Sequence, residues 1–277
     1  MRKTTLKIKM LYNEMGNAEK KIADWIFENP SGIIPLSISE LAEQCGCGEA
    51  TIVRFAKRIG CGGYQELKIS LAQEEGRSEI SDTISSSDSC YEIFEKVSND
   101  IYCTMEMTKK VIDKDALSKA AELLLNSKKI VVFGLGNSAA IALDMQHKFL
   151  RLGYEICAYC DNHMQAIAAS HLKQGDTAVG ISHSGSSCDV VEALALAKEN
   201  GANTISITNH GKSPIVKYSD CVLATSSNEI QYSILALNSR IAQLAIVDAL
   251  YYYVLFRNDT AYESIKLTEK SLQTKKY

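Results

Sequence analysis

The chain has 277 residues, 46% of them hydrophobic, and a formal net charge of −3 at neutral pH. This length predicts two domains, and the hydrophobic fraction excludes a disordered chain. The longest apolar runs fall short of the roughly 20 residues that cross a bilayer, and the N-terminus lacks the apolar segment of a signal peptide. We therefore expect a cytoplasmic protein that has no membrane partner.

The nine cysteines are odd in number and scattered along the chain, which is typical of reduced intracellular thiols rather than of a disulfide framework. Cys157 and Cys160 form one CxxC pair, but no second pair follows at the spacing of metal ligands. We expect the cysteines to serve as small hydrophobic side chains, and we predict neither a metal nor a cofactor.

Amphipathic patterns predict three helices in the first 60 residues. The first covers residues 17–29, and the second follows an N-cap at Ser37 or Ser39. The third covers Glu49–Ile59 and stops at Gly60, where a glycine can close the helix in a left-handed conformation. Two short helices around a glycine-containing turn indicate a helix-turn-helix.

The third helix has a face rich in basic and hydroxyl side chains. A recognition helix enters the major groove with its N-terminus first, so Thr51 and Arg54 would reach base edges. Arg54 could then bind guanine through two hydrogen bonds, and Lys57 and Arg58 would lie near phosphates. The alternative is an ordinary helical bundle with a solvated charged face.

A serine-rich segment, residues 76–91, reads as a linker. A long helix over about 91–112 follows. One face of this helix carries a mainly apolar stripe, formed by Ile93, Val97, Ile101, Met105, Thr108 and Ile112. We interpret it as a helix that connects two subunits. Packing against its own domain is the alternative.

From residue 115 onward, helical and strand patterns alternate. Strands are predicted at 130–133, 154–159, 177–182, 203–208 and 221–225, and a long apolar helix is predicted over about 231–256. This alternation predicts an α/β domain with a doubly wound, mainly parallel sheet that helices cover on both faces. Ligands of such sheets bind beyond the carboxyl ends of the strands.

Two turns at these strand ends have the chemistry of a phosphate site. The first, Gly134–Ser138, lacks the third glycine of a dinucleotide fingerprint. The second, Ser182–Ser187, places serine hydroxyls and Gly185 before a helix whose first N–H groups and dipole attract anions. Neither turn contains lysine or arginine, so uncharged donors would hold the anion. The alternative is a serine-rich turn that only caps its helix.

Three stretches of the N-terminal region form a dense motif: Ser37-x-Ser39-Glu40-Leu41-Ala42, the run from Glu49 to Gly60, and Gly63-Tyr64-x-Glu66-Leu67-Lys68. Together they resemble the N-terminal domain of RpiR/MurR-type transcriptional regulators. One position departs from that family, which usually has serine where Gly48 stands. Glycine lacks the capping hydroxyl, so a DNA-phosphate contact from that side chain is not expected.

Motifs of the second half include Gly134-x-Gly-x-Ser138, Asp161-x-His163, Ser182-x-Ser184-Gly185 and Ile207-Thr208-Asn209. They resemble the sugar isomerase (SIS) domain over residues 115–256. The resemblance implies a sugar-phosphate site formed by Gly136, Asn137, Ser138, Ser182, His183, Ser184 and Ser187. It also implies a carboxylate near the sugar at Glu229, for which a solvated loop residue is the alternative.

The resemblance thus implies three parts: a helix-turn-helix domain (1–77), a linker with a connecting helix (78–114), and a SIS domain with C-terminal helices (115–277). The expected function is a DNA-binding regulator of sugar or amino-sugar metabolism, a homodimer or higher homo-oligomer that binds an operator in double-stranded DNA. A phosphorylated sugar would control that binding, without catalysis.

Two alternatives remain. A sugar-phosphate isomerase with an accessory helical domain would need Glu229 or His183 to transfer protons. A purely structural DNA-binding protein would use a ligand-free α/β domain for dimerisation.

Overall fold

The computed structural model describes residues 3–29, 32–75, 84–85, 87–226 and 238–273. The chain divides into two compact units, one formed mainly by residues 1–99 and the other mainly by the residues from Asp100 onward. Over the described ranges, no helix is both long enough and apolar enough to cross a membrane.

The first unit is helical. Its helices are α1 (Lys3–Leu11), α2 (Asn17–Glu28), α3 (Ile38–Cys45), α4 (Glu49–Ile59) and α5 (Tyr64–Glu75). They enclose one core, in which Ile22, Leu41, Ile52, Phe55 and Leu67 are fully buried. Helices α2, α3 and α4 confirm the predicted helix-turn-helix, whereas α1 and α5 were not predicted.

Local signals fix the ends of α3 and α4. Ser37 accepts a hydrogen bond from the Glu40 N–H at 3.2 Å, and the Glu40 carboxylate accepts one from the Ser37 N–H at 2.8 Å. This reciprocal capping box satisfies two backbone donors at the start of α3. Gly46 and Gly60 close the two helices with φ of +59° and +91°, a region that favours glycine.

Helix α6 (Cys90–Val111) confirms the predicted long helix. It begins in the first unit and ends in the second. Within α6, only Thr104 and Thr108 are buried.

The second unit is a five-stranded parallel sheet with helices on both faces. Its strands are β1 (Ile130–Gly134), β2 (Ile156–Tyr159), β3 (Thr177–Ile181), β4 (Asn203–Asn209) and β5 (Cys221–Thr225). Its helices are α7 (Lys114–Leu125), α8 (Asn137–Arg151), α9 (Asn162–Ser170), α10 (Cys188–Glu199), α11 (Ser239–Leu255) and α12 (Ala261–Gln273). The strand order is β2-β1-β3-β4-β5, and all four pairs are parallel.

Alternating side chains of the strands divide between two cores. Ile130 and Val132 point to the core that α7, α8 and α11 cover, while Val131 and Phe133 point to the core beneath α9 and α10. The predicted doubly wound α/β fold is confirmed. β1, β2 and β3 are each followed by a helix that must bury its own apolar stripe, and the sheet offers two faces.

The structure differs from the sequence predictions in several details. Strand β2 begins at Ile156 rather than at 154, β3 ends at Ile181 rather than at 182, and α12 was not predicted. The described part of the last apolar helix begins at Ser239. Its predicted start near 231 lies outside the described residues.

Candidate functional sites

The strand order creates a crevice between β1 and β3. After β1 the chain moves to one side of the sheet, to β2, and then returns to the other side through β3. Ligands of open α/β sheets bind where the order reverses in this way, beyond the carboxyl ends. Gly134 pairs with Ile181 in the last register position of β1 and β3. The turns of residues 135–138 and 182–187 therefore leave the sheet side by side.

The turn after β3, residues 182–187, is a compact loop that we call the cradle. The hydroxyl oxygens of Ser182 and Ser187 are 3.1 Å apart. The Gly185 N–H donates to the Ser182 carbonyl at 3.1 Å, and the Ser186 N–H donates to the Ser184 hydroxyl at 3.3 Å. Gly185 has a φ of +61°, so a residue with a side chain would strain this turn.

The cradle leads directly into α10. Ser187 is the N-cap residue, but its side chain caps no backbone N–H of this helix as the structure describes it. The first N–H groups of an α-helix have no partner inside the helix, and the dipole makes this end partially positive. His183, Ser184, Ser186 and Ser187 are partly exposed. Ser182 is buried, at 2% exposure, so the cradle is open to an anion along its outer residues.

The turn after β1 presses against the start of α8. A Cβ at Gly134 would lie 2.7 Å from the Ser138 carbonyl oxygen, and Gly136 has a φ of +55°. Both positions therefore require glycine. Gly136 is the N-cap of α8 and has no capping side chain, while Asn137 is exposed and Ser138 partly exposed. A second helix N-terminus thus faces the same crevice.

The end of β4, for which no role was predicted, holds the cradle in place. The His183 carbonyl accepts hydrogen bonds from the Asn209 N–H at 3.0 Å and from the Thr208 hydroxyl at 3.4 Å. The cradle is thus held from its neighbouring strand. The motif Ile207-Thr208-Asn209 was the signal that could have indicated this.

Other predicted groups are only partly placed. Glu229 lies outside the described residues, so its place near a sugar stays a prediction. No ligand-binding role was predicted for Arg240, whose buried Nε has no hydrogen-bond partner among the residues that the structure describes. The same part of the chain contains no cluster of three or more His, Cys, Asp or Glu side chains that could hold a metal ion.

Helix α4 buries one face and exposes the other. Ile52, Phe55, Ala56 and Ile59 face the core. Arg54 and Lys57 are exposed, and Thr51 is partly exposed. An Arg54 guanidinium nitrogen lies 3.3 Å from the Thr51 hydroxyl. The two residues predicted to reach base edges therefore stand together on the outer face.

Arg58 lies in a different environment. Its guanidinium donates to the Glu19 carboxylate at 2.9 Å and to the Glu14 carbonyl at 2.8 Å. It therefore links the C-terminal end of α4 to the start of α2, and any contact with a DNA phosphate would compete with these bonds.

Two family profiles match this chain, each in a different part. The family profile described as a helix-turn-helix domain of the rpiR family matches residues 3–78, and the SIS domain profile matches residues 123–253. An uncharacterized HTH-type transcriptional regulator of Caldanaerobacter subterraneus subsp. tengcongensis is 41% identical over 239 residues, covering 86% of this chain and 85% of its own. The HTH-type transcriptional regulator HexR of Pseudomonas aeruginosa is 33% identical over 268 residues, covering 96% and 94%.

One solved structure is similar along almost the whole chain. The Vibrio vulnificus NanR protein complexed with ManNAc-6P superposes with a TM-score of 0.82 at 23% identity, covering 99% of this chain and 100% of that one. At this identity the likeness establishes a shared fold.

Proposed function

Because this chain belongs to the rpiR family of helix-turn-helix transcriptional regulators with a SIS domain, we propose that a phosphorylated sugar bound in the cradle sets its affinity for DNA. The phosphoryl group would be held by the hydroxyls of Ser182, Ser184 and Ser187 and by the free N–H groups of α10. Ser138 and the N-terminus of α8 would contact the same phosphate or the sugar.

The observation that carries this proposal is the open, uncapped start of α10 behind a serine turn. A helix N-terminus with free N–H groups binds phosphate without any cation. The cradle lies at the reversal of strand order, where ligands of this fold class bind. The NanR structure contains a sugar phosphate, by its own description, which supports the same ligand class for this chain.

Control of DNA binding by this ligand has a thermodynamic condition. The sugar phosphate must bind one arrangement of the protein better than another, because equal affinity for both would shift nothing. We propose that α6 is the element whose arrangement differs, since it is the helix that passes from the first unit into the second.

We favour sensing over catalysis. The relatives that this chain resembles along most of its length are named as transcriptional regulators. An isomerase would need a positioned acid or base within reach of the sugar carbons, and His183 is the candidate for that role. A turnover assay on pentose and hexose phosphates tests the isomerase alternative. Steady conversion that is lost in a His183→Asn variant would favour the enzyme.

We also propose that the protein is a homodimer, because symmetric subunits suit paired half-sites on DNA. Large apolar side chains are exposed on two helices of the second unit and directly after one of them, namely Leu143 and Leu150 on α8, Tyr252 on α11 and Phe256 at the C-cap of α11. Light scattering on the purified full chain measures the mass. A monomer at micromolar concentration would contradict this assignment.

Ligand binding is tested by a thermal-shift titration with N-acetylmannosamine 6-phosphate, glucose 6-phosphate and ribose 5-phosphate. We expect one of these to raise the melting temperature of the wild-type protein, and Ser184→Ala to abolish that rise. Ser118→Ala is the matched control, because Ser118 is exposed on α7 and bonds only to the Lys114 carbonyl of its own helix. No rise with any sugar phosphate, or an unchanged response in Ser184→Ala, would overturn the proposal.

A further inference from the structure

Three buried threonines form a series of hydrogen bonds that runs from the cradle to α6. Thr208, at the end of β4, is 1% exposed, Thr225, at the end of β5, is 0% exposed, and Thr108, on α6, is 4% exposed. A buried hydroxyl is costly unless it has a hydrogen-bond partner. The hydrogen-bond partners of these three hydroxyls therefore show which structural elements each threonine connects.

The first connection runs from the cradle to β4. The Thr208 hydroxyl donates to the His183 carbonyl at 3.4 Å, and the neighbouring Asn209 N–H donates to the same oxygen at 3.0 Å. Any rotation of the His183 peptide must therefore disturb the end of β4. The His183 peptide belongs to the cradle backbone, so an anion that binds in the cradle can change the orientation of this peptide.

The second connection runs from β4 to β5. The Thr225 hydroxyl donates to the Thr208 carbonyl at 3.2 Å, and the His210 N–H donates to the Thr225 carbonyl at 2.6 Å. These bonds extend the pairing of the two strands at their carboxyl ends.

The third connection runs from β5 to α6, between residues 118 positions apart in the chain. The Thr108 hydroxyl donates to the Ser226 carbonyl at 3.1 Å, and the Ser226 N–H donates to the Thr108 oxygen at 3.1 Å. One side chain thus satisfies both backbone groups of Ser226, as a residue of a neighbouring strand would. Thr108 is also one of only two buried residues on α6, so this clasp fixes the buried part of α6 to the end of β5.

We propose that this hydrogen-bonded series, which we call the threonine network (His183, Thr208, Thr225, Ser226 and Thr108), transmits occupancy of the cradle to α6. The inference rests on the proposed function, because it requires an anion in the cradle. Thr108 and Thr225 are positioning residues, since neither would touch the ligand or DNA. Thr225 joins β5 to β4, and Thr108 joins α6 to the end of β5. Such a hydrogen-bonded network can carry coupling between distant sites when it ends in an element with two arrangements, which is the role proposed above for α6.

The test compares binding with transmission in the full-length protein. Wild type, Thr108→Val and Thr225→Val are titrated with N-acetylmannosamine 6-phosphate, glucose 6-phosphate and ribose 5-phosphate. Hydrogen exchange of the α6 amides over residues 104–111 is then measured with and without the sugar phosphate that binds wild type most tightly. Valine keeps nearly the shape of threonine and removes only the hydroxyl. Thr108→Ser keeps the hydroxyl, and Ser98→Ala removes a hydroxyl that bonds only within α6, to the Phe94 carbonyl at 2.8 Å.

We expect ligand binding to change the exchange rates of α6 in wild type, Thr108→Ser and Ser98→Ala. In Thr108→Val and Thr225→Val, the sugar phosphate should still bind, but the change in α6 should be lost. The ligand-dependent change in operator affinity, which is about 5- to 150-fold for typical coupled sites, should disappear in the same two variants. A purely structural role would lower the melting temperature of the two variants and leave this change intact.

Three outcomes would overturn the inference. The valine variants could respond like wild type, or wild type could bind ligand with no change in α6. Failure of wild type to bind any sugar phosphate would overturn the proposed function itself, and the inference with it. The binding titration distinguishes this third case from the first two.

Discussion

Arg54 and Arg58 lie one turn apart on α4, but their partners differ. Arg54 is exposed and contacts only the Thr51 hydroxyl of its own helix. Arg58 bonds to Glu19 and to the Glu14 carbonyl. The two arginines should therefore separate DNA recognition from the stability of the domain.

We predict that Arg54→Ala weakens specific DNA binding by about 1–3 kcal/mol and leaves the melting temperature unchanged. Arg58→Ala should instead lower the melting temperature, because a charge-assisted link between α4 and α2 is lost. Fluorescence anisotropy with operator DNA and thermal unfolding measure the two effects. Equal losses of affinity in both variants without loss of stability would show that Arg58 contacts DNA directly.

Lys68 should make the stability of the first unit depend on pH. Removal from water lowers the pKa of its ammonium group to about 8, although the nearby Glu40 carboxylate acts in the opposite direction. The Nζ donates to the Leu36 carbonyl at 2.7 Å. In the unfolded chain the pKa of lysine is about 10.4, so between these values the unfolded state binds more protons than the folded one. The free energy of unfolding should therefore rise with pH across this window.

We predict that the free energy of unfolding, measured with urea, rises by about 1–2 kcal/mol between pH 8 and 9.5. In Lys68→Met this free energy should change less with pH. The exposed Lys57→Met is the control and should keep the wild-type slope. Above about pH 10 the trend should reverse, because burial raises the pKa of the Tyr64 hydroxyl above its unfolded value of about 10. A slope that is the same in Lys68→Met as in wild type would refute the assignment.

At the scale of elements, the helix-turn-helix was predictable because its boundaries are set by nearby residues. The Ser37 and Glu40 box starts α3, and Gly60 ends α4. The start of β2 was not predictable in this way. The Tyr154 N–H donates to the Phe149 carbonyl at 3.2 Å, in the turn that ends α8, and β2 pairs only from Ile156 onward.

Helix α12 escaped prediction for a related reason. Its large apolar side chains Tyr262 and Leu267 are exposed, so the helix shows no single buried stripe from which a period could be read. Only Ala261 is buried on this helix.

The glycines that flank α4 should respond oppositely to serine. Gly48 has a φ of −84°, and a Cβ there would meet nothing within 4 Å. Gly48→Ser should therefore add a capping hydroxyl and raise stability by a few tenths of a kcal/mol, since glycine is a tolerated but weaker cap. Gly60 has a φ of +91°, so Gly60→Ser should cost roughly 1 kcal/mol. Thermal unfolding of the full chain measures both, and a shift of the same sign in the two variants would contradict this account.

At the scale of the whole molecule, the two parts of the function differ in how far they could be predicted. The cradle lies within six consecutive residues, so its serines and glycine were evident from the sequence. The clasp between Thr108 and Ser226 joins residues 118 positions apart, and only the fold brings them together. The transmission proposed here therefore could not have been read from motifs.

The central claim is that an anion held by uncharged groups in the second unit changes DNA binding by the first. A mobility-shift titration on the promoter next to the protein's own gene tests it most directly, with and without the sugar phosphate that stabilises the protein most. We predict that the ligand shifts the midpoint for wild type and for Ser118→Ala, and that Ser184→Ala binds DNA with the ligand-free midpoint at every ligand concentration. Identical midpoints for wild type with and without a ligand shown to be bound would contradict the account.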